Sequence, residues 1–174
     1  NHQQFSLFLD VLLPAGISFF TFQVISFAID RYRDDIETMP SLPNFAAFVT
    51  LFPQLVAGPI LRFSQVEDAL AKLREFKLSK RRLSMAWGYI CLGLAAKVLI
   101  ADTLGGYLVD YRESPGNLSQ LAGLYTIFAY SFQIYFDFYG YSLIAIGLGA
   151  LFGFDYPDNF KRPYEALNPR EFWR

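Results

Sequence analysis

Long apolar runs that carry at most one charge each restrict the fold of this chain more than any other feature. The run near residues 11–29 holds no charge. The run near 83–101 holds Lys97 alone, and the run near 119–137 holds Asp137 alone. A helix needs about 20 apolar residues to cross a bilayer. We therefore predict an all-α, polytopic membrane protein with about three spanning helices. The aromatic share of 18% agrees with this class.

Two further apolar segments do not fit a straight span. The segment near 44–61 contains Pro53, Gly58 and Pro59. Such irregular backbone at membrane depth survives only where protein buries it or a wet cavity faces it. The segment near 141–154 has about fourteen residues, too few to cross unaided. Both are predicted to be broken or re-entrant.

Residues 62–82 are predicted to form a cytoplasmic amphipathic helix. Val66, Leu70 and Leu73 recur at helical spacing, and seven basic residues accompany them. Such a helix packs its apolar side down and turns its basic side to anionic lipid headgroups. The positive-inside bias places this segment, and the basic tail after residue 154, in the cytoplasm. The N-terminal end then lies outside.

Several classes of function are disfavoured by what the chain contains. A single cysteine, Cys91, provides neither a disulfide framework nor a thiolate metal site. His2 is the one histidine, and no nucleophile–base pair can be assembled around it. A net charge of −1 says nothing about nucleic acid, but no aromatic–basic interleaving of a soluble binding face stands out, so no nucleic-acid partner is expected. We expect no metal site and no bound cofactor. Since no initiator methionine precedes Asn1, residues 1–174 are expected to be one fragment of a larger membrane domain.

A polar stripe runs along the third apolar segment. Its side chains cannot face hydrocarbon cheaply, so they should face a cavity or a neighbouring helix. The alternative is that they join helices through hydrogen bonds. The stripe consists of Thr126, Tyr130, Gln133, Asp137 and Tyr141, at steps of four, three, four and four, which share one helix face.

Lys97 admits two interpretations. An intramembrane lysine is by default a functional candidate. Yet Lys97 lies about one turn from Asp102, toward which its long side chain can snorkel.

A face of small residues is also present, at Ala145, Gly149 and Gly153. It is predicted to let another helix come close.

The segment 158–164, D-N-F-K-R-P-Y, also has two interpretations. The plain one is an interfacial loop with aromatic anchors and basic residues at the headgroups. The functional one is that Asn159 and Arg162 contact a polar substrate at the mouth of a pore. In that case the third span and segment 141–154 wall a water-accessible hollow that Asp137 and Asn159 share.

Four sequence motifs make the chain resemble the middle of a membrane-bound O-acyltransferase of the bacterial alginate O-acetylation type. They occur in the order found in that family and together extend over nearly the whole chain. The motifs are L-P-A-G-I-S-F-F-T-F-Q at 13–23, F-P-Q-L-V-A-G-P-I at 52–60, F-D-F-Y-G-Y-S at 136–142, and N-F-K-R-P-Y at 159–164 followed by E-F-W-R at 171–174.

The resemblance implies a ring of helices around a thinned centre in the bacterial cytoplasmic (inner) membrane. There a histidine moves an acyl group from a cytoplasmic donor or carrier protein to a polysaccharide hydroxyl outside, within a polymer-modification complex. The family's histidines stand beyond the position of Arg174, so no catalytic residue is expected in this chain. The candidates for lining the site are Gln133, Asp137, Tyr141, Asn159, Arg162 and Trp173.

The resemblance leaves two acceptor polymers possible, alginate and a teichoic-acid-type polymer. Alginate-type proteins usually carry aspartate after G-Y-S, whereas Leu143 here is closer to the D-alanyl transferases of teichoic acid. Gln54 and Ala57 resemble the acetylating type, and O-acetylation is favoured. Two other classes compete: a transporter, from the broken helices and the polar stripe, and a non-catalytic membrane subunit that anchors partners through residues 62–82.

Overall fold

The computed structural model describes residues 16–36, 38–54, 58, 61–113, 119–160 and 163–172. All regular structure in these ranges is helical, which confirms the predicted class. The helices are α1 (Ile17–Tyr32), α2 (Leu42–Thr50), α3 (Phe63–Ala71), α4 (Lys80–Leu94), a π-helical segment (Ala95–Ala101), α5 (Asp102–Glu113), α6 (Gln120–Leu151) and the single turn α7 (Pro169–Phe172), with 3₁₀ turns at Phe52–Gln54 and Pro163–Glu165.

Two of these helices are long and apolar enough to cross a membrane. They are Lys80–Val109, which joins α4, the π segment and most of α5, and Leu121–Leu151 in α6. At 1.5 Å per residue each exceeds the roughly 30 Å of a hydrocarbon core. The span predicted near 11–29 begins among residues outside the described part, and α1 itself has 16 residues. The count of three spans therefore stays a prediction.

α6 corrects the division between 119–137 and 141–154. The structure has one helix of 32 residues across both segments. The division assumed that a charge at Asp137 and a glycine at Gly140 end a span. Instead Lys97 Nζ lies 2.6 Å from Asp137 Oδ1 and partly neutralises it. Gly140 is buried inside the helix, against the backbone of α4.

The predicted helix over 62–82 is also shorter than expected. α3 ends at Ala71, residues 72–75 form turns, and α4 begins at Lys80 after the N-cap Ser79. The apolar face of α3 packs into the protein core rather than into lipid, with Phe63, Val66 and Leu70 all buried. That leaves little apolar surface on α3 for insertion between headgroups.

Helix α2 ends shortly before Pro53, inside the segment near 44–61 that was predicted to be broken or re-entrant. α2 begins at the N-cap Ser41, whose hydroxyl accepts a hydrogen bond from the backbone N–H of Asn44. It ends at Thr50, and Leu51 is extended; Pro53 has no N–H to donate to the carbonyl four residues earlier, so the α-helix cannot continue undisturbed through it. Residues 55–57 and 59–60 are outside the described residues, so the re-entrant path near 44–61 stays a prediction.

The close contact between helices does not use the predicted small-residue face. A Cβ placed on Gly93 would lie 2.5 Å from the Gly140 oxygen, and one on Gly147 would lie 2.7 Å from the Ala86 oxygen. α4 and α6 therefore touch backbone to backbone. Of the predicted face, Gly149 packs instead on the Tyr156 ring and Gly153 on the Phe76 ring.

The apolar core lies at one end of the molecule. It joins α1, α2 and α3 to the C-terminal half of α6 and to the segment after it, whereas the N-terminal half of α6 is largely exposed. Its members are Phe27, Ile36, Phe48, Leu61, Phe63, Val66, Leu70, Leu143, Ile146, Phe154 and Tyr156.

Tyr156 makes the stability of this core sensitive to alkaline pH. Its hydroxyl is buried without a hydrogen-bond partner among the described residues, and burial raises the pKa of Tyr156 above its ordinary value of 10.0. Tyr156 therefore ionises at a lower pH in the unfolded chain than in the folded one. The free energy of unfolding keeps its full value below about pH 10 and falls as the pH rises further.

We expect Tyr156→Phe to reduce this alkaline loss. It should also leave stability at pH 7 unchanged or raise it by about 1 kcal/mol, since an unsatisfied buried hydroxyl is removed. Thermal unfolding of both proteins between pH 8 and pH 11 measures the effect. Equal alkaline loss in the two proteins would contradict it.

Candidate functional site

A cluster of three charged side chains lies between the two long helices. Lys97 Nζ donates to Asp137 Oδ1 at 2.6 Å and to Asp102 Oδ1 at 3.3 Å. We call these three residues the Lys97 cluster. Lys97 comes from the π segment, Asp102 from the start of α5, and Asp137 from the middle of α6. The snorkelling partner expected from the sequence is present, but the shorter contact crosses to another helix.

The π segment sets where this lysine stands. Before it, Ala86 and Gly93 of α4 face Gly147 and Gly140 of α6, in a regular antiparallel register. After it, Gly105 of α5 faces the side-chain amide of Gln133. Between these contacts α4 passes into the π segment, whose turns are wider than those of an α-helix and are frequent at functional sites.

The Lys97 cluster has a formal net charge of −1, because one lysine stands beside two aspartates. Its side chains are 38% (Lys97), 56% (Asp102) and 53% (Asp137) exposed in the described structure. Charges in the middle of a span do not face hydrocarbon at low cost. This face of the helix pair therefore belongs against water, more protein or a polar ligand.

Because α6 is continuous, helical periodicity puts the other predicted stripe residues on the same face as Asp137. Gln133 is half-buried, with its amide 2.8 Å from where a Cβ of Gly105 would be. Tyr141 is half-buried one turn further along α6. Thr126 instead bonds within its own helix, its hydroxyl donating to the Ala122 oxygen at 2.8 Å. The Asp137–Lys97 contact fits the alternative that the stripe joins helices.

The loop after α6 folds back onto a different face of that helix. The Phe160 ring lies 5.3–6.1 Å from the rings of Phe138, Tyr135 and Tyr139. The Tyr164 hydroxyl donates to the Ser131 oxygen at 3.1 Å. These anchors hold the segment around Asn159, whose own side chain is exposed.

This placement corrects the hollow that Asp137 and Asn159 were expected to share. Each helical residue advances about 100°, so Tyr135 and Tyr139 point about 160° away from Asp137 and Phe138 about 100° away. The loop that carries Asn159 therefore packs away from the Lys97 cluster. Segment 141–154 cannot form an opposing wall either, since it continues the same helix. Arg162 and Trp173 lie outside the described residues.

A small cavity opens on the flank between α4, α6 and this loop. Its volume is about 230 Å³. Ser142 lies in its lining, and the Ser142 hydroxyl is buried without a hydrogen-bond partner among the described residues. The other lining residues are Tyr89, Leu92, Tyr139, Leu143, Asp158 and Phe160. The motifs G-Y-S and N-F thus meet here, at a place that the sequence did not predict.

The Lys97–Asp137 pair is the main feature of the site that sequence reasoning missed. Asp137 was singled out for its helix face, and Lys97 for its isolation in an apolar run. A signal was present, since each is the one charge of its span and opposite charges inside membranes pair with one another. Their 40-residue separation hid the register that joins them.

Several proteins of known name are similar to this chain. The probable alginate O-acetylase of Pseudomonas putida is 44% identical over 164 residues, which cover 94% of this chain and 33% of that protein. The Helicobacter pylori peptidoglycan O-acetyltransferase is 35% identical over 190 residues, covering 95% and 36%. The Streptococcus thermophilus teichoic acid D-alanyltransferase is 30% identical over 162 residues, covering 91% and 39%.

The chain spans about a third of the length of these curated relatives. The model of one family matches residues 31–174, which is most of the chain and includes the Lys97 cluster and the loop after α6. Together with its two membrane-length helices, this match identifies a membrane protein, and the chain belongs to the membrane-bound O-acyltransferase (MBOAT) family.

Proposed function

We propose that this protein is a membrane-embedded O-acyltransferase that moves an acyl group, in the first instance acetyl, onto hydroxyls of an extracytoplasmic polysaccharide such as alginate. The observation that carries the proposal is the 44% identity, over 94% of this chain, to a protein named as a probable alginate O-acetylase. The geometry of the described residues supplies a polar face but no nucleophile–base pair.

The proposed orientation is a multi-pass protein of the cytoplasmic membrane with its basic end inside. α4 begins and α6 ends at the same end of the molecule, where Arg82 pairs with Asp155. Exposed basic side chains gather there, which by the positive-inside bias marks the cytoplasmic side. These are Lys72, Arg74, Lys77, Lys80 and Arg81. The acyl donor, and any protein that delivers it, would reach the enzyme from this side.

Expression of the complete gene product tests the proposal. The host is an alginate-producing Pseudomonas strain that lacks its own alginate O-acetylase. We expect the O-acetyl content of secreted alginate, measured by NMR, to be restored. Replacing the histidine that the resemblance places just beyond residue 174 should lower the rate of acetyl transfer by about 10²–10⁴-fold, the usual contribution of a general base, so that the O-acetyl content of the alginate falls sharply.

Protein that reaches the membrane but adds no acetyl group would contradict the proposal. A membrane transporter or a non-catalytic subunit gives this negative result, and a transporter would in addition give substrate flux in liposomes.

D-alanyl transfer to a teichoic-acid-type polymer is the second candidate. Leu143 favours it, because this residue is the departure from the alginate type. The Leu143 side chain is buried in the core and lines the cavity beside Ser142. Higher identity to the acetylase relatives than to the D-alanyltransferase places it second. D-alanine esters on teichoic acid in a host lacking its own transferase would reverse this order.

A further inference from the structure

The base of the Lys97 side chain is held in place by the opposite helix. A Cβ on Gly140 would lie 3.0 Å from the backbone nitrogen of Lys97 and 3.3 Å from the Lys97 Cβ. α6 therefore presses directly on the π segment at this residue. The ammonium then reaches two carboxylates, of which Asp137 is the nearer. A lysine fixed at both ends restricts the rotamer of the carboxylate that it contacts.

Only one oxygen of Asp137 is used in the described structure. Lys97 contacts Oδ1, and no described residue donates a hydrogen bond to Oδ2. An ionised carboxylate accepts hydrogen bonds at both oxygens. The Asp137 side chain is about half exposed, on a face that cannot meet hydrocarbon. The free oxygen needs a donor that water or a ligand provides.

We propose that Asp137 binds a hydroxyl group of the polysaccharide acceptor through Oδ2, and that Lys97 is the positioning residue that presents this carboxylate. The proposal rests on the proposed function for the identity of the ligand. This role differs from that of a simple helix–helix ion pair, which would work equally well with the two residues exchanged between the helices. The carboxylate must stand on α6 and the lysine on the π segment.

Binding measurements on the complete protein in nanodiscs test this proposal. The probes are alginate oligosaccharides without O-acetyl groups and the same oligosaccharides after chemical acetylation, which removes the hydroxyl donors. The dissociation constant is measured by isothermal titration calorimetry. We expect wild type to bind the unacetylated probe about 10- to 100-fold more tightly, the range for a hydrogen bond to a charged group.

Four variants separate positioning from structural support. Asp137→Asn and Lys97→Met should each abolish the discrimination between the two probes, and Lys97→Arg should retain most of it. The exchanged double variant Lys97→Asp with Asp137→Lys restores an ion pair between the helices but moves the carboxylate to the wrong helix. Its thermal stability should recover relative to Lys97→Met, without recovery of discrimination. Asp68→Asn, on the exposed side of α3, is the matched control for loss of one carboxylate.

Each outcome decides between the claims. Wild-type discrimination retained by Asp137→Asn, or regained in the exchanged variant, would overturn the proposal, as would a wild-type protein that binds both probes equally. If the exchanged variant does not fold, the contrast between Lys97→Met and Lys97→Arg still decides. A wild-type protein that discriminates between the probes but transfers no acyl group would overturn the proposed function and leave the hydroxyl site standing.

Discussion

Gly140→Ala is expected to separate α4 from α6 and to destabilise the protein by about 2–3 kcal/mol or more, in the upper range for overpacked contacts. The new methyl group would lie 2.6 Å from the Gly93 oxygen and 3.0 Å from the Lys97 nitrogen. Both are backbone atoms, so no side-chain rotation relieves the collision. The helices must move apart, and the contact between Lys97 and Asp137 lengthens with them.

Thermal unfolding of the detergent-solubilised protein measures this effect. Gly88→Ala is the control, since Gly88 also lies inside a long helix, on the α4 side of the same helix pair, and nothing is within 4 Å of its Cβ position. Alanine is the better helix former by about 1 kcal/mol. The control should therefore be neutral or slightly stabilising. Equal stability of the Gly140→Ala and Gly88→Ala proteins would show that the backbone contact is not formed.

Gly153→Ala is the second large expected effect, a loss of about 2–4 kcal/mol from backbone strain and collision together. Gly153 has a φ of +94° and ends α6. The Phe154 N–H donates to the Gly149 oxygen at 2.9 Å and the Gly153 N–H to the Ala150 oxygen at 3.3 Å, which is a Schellman motif. The new methyl group would also lie 2.7 Å from the Phe76 ring.

The two contributions can be separated with a second substitution. Gly153→Ala combined with Phe76→Ala relieves the collision and leaves the strain at positive φ. The double variant should therefore lose less than the sum of the two single losses, by about 1 kcal/mol or more. Strict additivity would contradict the packing of Phe76 on Gly153. The loop after α6 depends on this turn, so we also expect the unfolding of Gly153→Ala to begin there.

The class of protein was readable from the sequence because it depends on composition along single segments. Apolar runs of membrane length and the order of four motifs are local properties, and both led to a helical membrane protein of the acyltransferase family. The break at Pro53 was equally local, because proline removes a backbone donor wherever it stands.

The site was only half predictable. Periodicity placed Gln133 and Asp137 on one face of α6, and the structure turns that face toward α5 and the π segment. The same reasoning divided α6 at 138–140, because a carboxylate and a glycine both look like ends of a span. It also brought Asn159 to Asp137, whereas the loop packs on the rings of Tyr135 and Tyr139.

The sequence by itself determined that these segments are helices of a membrane protein and which residue types each helix presents. Only the tertiary structure decided that Lys97 stands opposite Asp137. The reason is physical: whether a charge ends a helix or sits within it depends on a counter-charge supplied by another segment. Register between segments is set by backbone contacts at Gly93 and Gly140, which no single segment encodes.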